Sequence, residues 1–90
     1  MLLQVTVSGT VGKQVISTSN QGSLKCVALT PSAVNATIKI RDGNASGEIV
    51  LFARAHTSGG TLVIPVEHEF TKGMHVKVIG TLAEAYLVIN

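Results

Sequence analysis

The chain has 90 residues, 46% apolar, 13% charged and 3% aromatic, with one cysteine, no tryptophan and a formal net charge of +2. That length suits a single domain over residues 1–90, and a chain so short buries only about two-thirds of the surface its unfolded form exposes. A small, dispersed charge excludes a surface that grips phosphates by charge alone, and a lone cysteine without a CxxC or Cys/His cluster excludes an internal disulfide and structural zinc.

In chain order, Met1-Leu2-Leu3 opens apolar, but Gln4, Thr6 and Ser8 interrupt the run. Neither a signal-peptide core nor a span of about 18 apolar residues is expected, so no membrane partner is expected. Runs of β-branched residues then alternate with Gly, Ser, Asn and Asp. The first strand is expected over 2–7, with Ser8-Gly9-Thr10 as a turn, and the second over 13–18. Ser19-Asn20-Gln21-Gly22 forms the next loop, before a strand over 24–29 that Thr30-Pro31-Ser32 breaks, because proline cannot donate to a ladder. Residues 36–41 alternate most cleanly, with Ala36, Ile38 and Ile40 on one face and Thr37, Lys39 and Arg41 on the other. Asp42-Gly43 supplies a tight turn and the chain re-enters a strand over 48–53. Thr57-Ser58-Gly59-Gly60 separates this from 62–66; Lys72-Gly73 turns the chain into 74–79, and Gly80 precedes 85–89. One helical turn each at 32–36 and 81–85 is the most that helical periodicity supports.

About eight strands at a spacing of roughly 8–12 residues predict an all-β chain, a compact antiparallel β-sandwich of the Ig-like or jelly-roll-like kind. Ile38, Ile40, Leu51, Val76, Val78 and Leu87 are its expected core. Several strands are apolar on both faces. Val50 and Phe52 oppose Ile49, Leu51 and Ala53, while Val27 and Leu29 oppose Leu24, Cys26 and Ala28. One small sandwich absorbs one face of each strand, so burial against a partner or a second copy is expected at Val27, Leu29, Val50 and Phe52. The competing reading places these strands centrally, under loops of the same chain.

The chemistry is sparse. Asp42-Gly43-Asn44-Ala45-Ser46-Gly47 copies the first half of a calcium loop, but the twelfth position is Ala53 rather than a bidentate glutamate. His56, His68 and His75 lie far apart, and Glu67 and Glu69 suit solvated charges on an edge. Cys26, beside Val27, Ala28 and Leu29, reads as a small buried hydrophobe. Asn35-Ala36-Thr37 and Asn44-Ala45-Ser46 match a glycosylation sequon without other signs of that pathway. Lys39, Arg41 and Lys77 form a small basic stripe if their strands pair, yet stacking aromatics are scarce and both Phe52 and Phe70 are expected in the core, so nucleic acid is not an expected partner. No catalytic residue, cofactor or metal is expected, and no enzyme.

Whole segments carry a resemblance. Leu24-Lys25-Cys26-Val27-Ala28-Leu29-Thr30 is followed by Ala36-Thr37-Ile38-Lys39-Ile40-Arg41-Asp42-Gly43, by Ser46-Gly47-Glu48-Ile49-Val50-Leu51, and by Phe70-Thr71-Lys72-Gly73-Met74-His75-Val76-Lys77-Val78-Ile79-Gly80-Thr81. This order resembles small all-β virion structural proteins of tailed bacteriophages, such as capsid decoration and other virion-surface components, over residues 22–89. The resemblance implies a non-enzymatic virion protein assembled in the host cytoplasm. As a decoration (cement) protein it would bind the major capsid protein on the head in many copies, as a homo-oligomer or symmetric array. The alternative is a tail, neck or fibre component that binds a ligand or carbohydrate.

Overall fold

A strand displays its side chains alternately on two faces, and each stretch of expected alternation builds one. The structure, a computed structural model, describes residues 3–8 and 11–90. Leu2, Gly9 and Thr10 of the expected first strand and turn lie outside the described residues. The described strands are β1 (Leu3–Ser8), β2 (Val11–Ile16), β3 (Gly22–Thr30), β4 (Ala36–Asp42), β5 (Glu48–Ala55), β6 (Leu62–Phe70), β7 (Met74–Ile79) and β8 (Glu84–Ile89). One short 3-10 turn, Thr57–Gly59, stands where a loop is expected. The segments 32–36 and 81–85 form no helix. Among the described residues no helix is long and apolar enough to cross a membrane.

The strands form two four-stranded sheets, ordered β1-β8-β3-β6 and β2-β7-β4-β5, with every pairing antiparallel. Each connection crosses from one sheet to the other except β4 to β5, which is a hairpin within one sheet. That is the strand order of a jelly roll, two interleaved Greek keys, and not the arrangement of an immunoglobulin sandwich. β6 is an edge strand, which accommodates Pro65 within it, and it runs on to Phe70 rather than ending at 66.

Between the sheets lies one apolar core. Leu24, Leu29, Ile38, Ile40, Phe70, Met74 and Leu87 are its largest fully buried side chains. The expected core residues Ile38, Ile40, Val76, Val78 and Leu87 are all inside, while Leu51, on the edge strand β5, is half-buried against the rim. Phe52 departs from expectation, because it stands outside.

The two-faced strands have a geometric cause. In β3 the register moves from Leu24↔Ile89 to Cys26↔Val88, so Lys25 is an additional residue relative to β8. In β5, Ile40↔Leu51 is followed by Arg41↔Ile49, leaving Val50 additional. In β2 the same happens at Val15, between Gln14↔His75 and Ile16↔Met74. A bulge puts two consecutive residues on one side and reverses the phase beyond it. Hence Leu24, Val27 and Leu29 all reach the core although their spacing breaks strict alternation, and Val50 packs on the core beside Leu51.

Candidate interaction surface

Three strands in register build the outer face of the β2-β7-β4-β5 sheet. Lys39 of β4 lies between Lys77 of β7 and Phe52 of β5; Arg41 pairs with His75 and Ile49, and Thr37 with Ile79 and Arg54. Phe52 is 57% exposed, Ile49 41% and Ile79 37%. The Lys39 ammonium sits 5.5 Å from the centre of the Phe52 ring, within range of a cation–π attraction of about 0.5–1 kcal/mol. The expected basic stripe of Lys39, Arg41 and Lys77 is therefore one surface, and Arg54 extends it. The carboxylates nearest in sequence, Asp42 and Glu48, pair with each other at the sheet end, on the core-facing phase of the alternation. This face thus presents cations and exposed apolar side chains together.

His75 belongs to the same face, across from Arg41 on β4 and Gln14 on β2. A Cβ on Gly12 would stand 3.0 Å from its ring, so the glycine lets the imidazole lie against the β2 backbone. Burial, and behind it the charges of Arg41 and Lys77, hold the His75 imidazole below its ordinary value. Its Nδ1 is buried without a hydrogen-bond partner. His68 is on the other sheet, edge-on to Phe70 with 4.6 Å between ring centres.

The outer face of the β1-β8-β3-β6 sheet is different. Tyr86 and Val88 of β8 flank Ala28 and Cys26 of β3, which in turn flank Val63 and Pro65 of β6. Tyr86 is 38% and Val63 61% exposed. Glu67 and Glu69 continue this face along β6, as their alternation with His68 implies, and Glu84 begins it on β8. Lys25 Nζ bonds Glu67 Oε2 at 3.2 Å. Cys26 is half-buried at the centre of this face rather than inside, because the bulge at Lys25 turns it outward.

The four expected partner residues therefore divide. Val27 and Leu29 are fully buried core residues, and Val50 packs against the core; the bulges, not a second apolar surface, explain their spacing. Phe52 is at the surface. Ile49, Ile79, Arg54, Tyr86 and Val63 complete the two outer faces. Arg54, two residues after Phe52, shows its place in the alternation, whereas the others become neighbours only through strand pairing.

The remaining motifs are absorbed by local structure. The 42–47 loop spends its polar groups on itself and its neighbours. Asn44 Oδ1 accepts from the Ser46 amide at 2.9 Å, Arg41 Nη1 donates to the Gly47 carbonyl at 2.8 Å, and Gln14 Nε2 donates to the Gly43 carbonyl at 2.6 Å. Among the described residues no group of three or more His, Cys, Asp or Glu is placed to hold a metal ion. At one end of the sandwich an open cleft of about 630 Å³ lies between the 17–21 loop, Thr71 and Asn90, with Ser17, Ser19, Asn20 and Gln21 on its wall.

No protein-family model matches the chain, and no curated protein sequence does. Solved structures do. The nucleoplasmin-like N-terminal domain of Drosophila FKBP39 superposes with a TM-score of 0.66 at 12% identity, over 99% of this chain and 86% of that one. The crystal structure of PirA gives a TM-score of 0.54 at 13% identity, over 98% and 90%. At such identities both are likenesses of fold alone.

Proposed function

We propose that this chain is a non-catalytic structural protein of a bacteriophage virion, a decoration protein held on the head surface in many copies and assembled in the host cytoplasm. The observation that carries the reading is the outer face of the β2-β7-β4-β5 sheet, where exposed Phe52, Ile49 and Ile79 sit among Lys39, Arg54 and Lys77. Apolar side chains inside a charged frame are the anatomy of an interface, and symmetric copies multiply a modest affinity. The segment resemblance over 22–89 supports the virion setting, and a single domain over 1–90 suits it. Purified particles should contain the protein at a fixed ratio to the major capsid protein. A folded Phe52→Ser variant should lose occupancy in particle sedimentation. Absence of the protein from particles would overturn the proposal.

A second reading, a ligand- or carbohydrate-binding component of tail, neck or fibre, is favoured by the cleft walled by Ser17, Ser19, Asn20 and Gln21. Hydroxyl and amide groups there suit a sugar. Saturable glycan binding that Asn20→Ala abolishes would support it against the first.

A further inference from the structure

The two outer faces of the sandwich carry opposite charge. On the β2-β7-β4-β5 sheet, Lys39, Arg41, Arg54 and Lys77 share one surface, with Lys39 directly across from Lys77. Like charges placed opposite each other in a ladder are destabilising, so Lys39 and Lys77 repel within one copy. On the β1-β8-β3-β6 sheet, Glu67, Glu69 and Glu84 border an apolar centre of Tyr86, Val63 and Cys26. There the one lysine, Lys25, is already bonded to Glu67. The core separates the two faces, so they cannot meet within one copy.

We propose that copies of this chain stack face to back, with the acid-bordered outer face of β1-β8-β3-β6 seated on the basic outer face of β2-β7-β4-β5 of the next copy. The proposal rests on the multi-copy reading above and names a second copy as the partner of that same basic face. Complementary charge steers and registers the contact, and Phe52 and Ile79 meet the Tyr86 and Val63 surface. The size is suitable. The Cα envelope measures 37 × 24 × 17 Å, and its broad side is on the order of the ~800 Å² per partner of a specific interface. Because the two patches differ, the contact is heterologous and propagates into a closed ring or an open stack.

Charge reversal tests this on the purified full chain by sedimentation velocity and light scattering. The mass of the wild-type protein should rise with concentration above the 9.4 kDa of one chain and fall as salt screens the contact. Two variants, Lys39→Glu/Arg54→Glu/Lys77→Glu and Glu67→Lys/Glu69→Lys/Glu84→Lys, each shown folded by circular dichroism, should remain monomeric alone. Mixed in equal amounts they should regain the oligomer, because each then finds a complementary face. In the wild type, maleimide labelling of Cys26 should slow several-fold as concentration rises. The stacking is overturned by a strictly monomeric wild type, by a mixture that stays monomeric, or by variants that associate as the wild type does. Should either variant not fold, Cys26 reactivity independent of concentration overturns it equally. Stacking that fails while particles retain the protein leaves the virion reading standing; stacking that holds while particles lack it removes that reading alone.

Discussion

Ile40 is fully buried, with Leu51 and Val76 as its cross-strand neighbours. Truncation to alanine removes transfer energy and leaves a cavity that the surrounding side chains fill only in part. Ile40→Ala should cost about 2–5 kcal/mol, read as a lower urea midpoint with an unchanged slope. His75 works by charge rather than volume. Gln14 and Gly12 of β2, Arg41 of β4 and Lys77 of its own strand face it, and none supplies a carboxylate. Since its folded value is lowered, the unfolded chain binds the proton first and stability rises with pH. This contribution is complete above about 6.5, the unfolded value, and is lost as pH falls through the lowered folded one. Melts across that range should show a smaller acid-side drop in Tm for His75→Gln than for the wild type. An identical drop would show that the ring is solvated in the folded state.

At the scale of elements, bulges and turns interlock. The bulge at Val15 places Ile16 over the core and brings the Ile16 and Ser17 carbonyls against the β6–β7 turn. Gly73 there has φ +92°, and a Cβ on it would lie 2.7 Å from the Ile16 oxygen. Gly43 has φ +97° with open space around its missing side chain, and its amide donates to the Gly73 carbonyl at 2.9 Å. Both positions strain an L-residue, but only Gly73 adds a collision with backbone. Gly73→Ala should therefore destabilise by more than about 1 kcal/mol and by more than Gly43→Ala, when both are compared by chemical denaturation. Equal costs would show that the turn shifts freely away from β2.

For the whole molecule, connectivity sets the cooperativity. β8 lies between β1 and β3, so its ladder ties the first and last strands and residues 22–30 into one sheet. Ala85, Leu87 and Ile89 bring buried side chains to the core from the same strand. Removing residues 84–90 splits that sheet and opens the core, so the shortened chain should lose its β-sheet circular dichroism signal and its amide chemical-shift dispersion. A truncated chain that keeps both would place the stability in the other sheet. Pairing of distant segments also makes folding slow, on the scale of milliseconds to seconds expected for non-local β topologies.

The strands of this protein were legible from its sequence. Alternation at 36–41 and 74–79, with turn chemistry at Asp42-Gly43 and Lys72-Gly73, placed the elements and most of the core, because these signals act over a few neighbouring residues. The orientation of Leu24 against Val27, or of Ile49 against Val50, was not. A bulge is defined only by the partner strand, whose register comes from residues far away in the chain, so a two-faced run looks the same whether it is bulged or doubly buried. The outer faces were equally hidden. Lys39 meets Lys77 and Cys26 meets Val88 only once the strand order is set. The basic stripe was visible as residue types, but its confinement to one sheet, and that of Glu67, Glu69 and Glu84 to the other, were decided by the tertiary structure, which alone brings distant strands side by side.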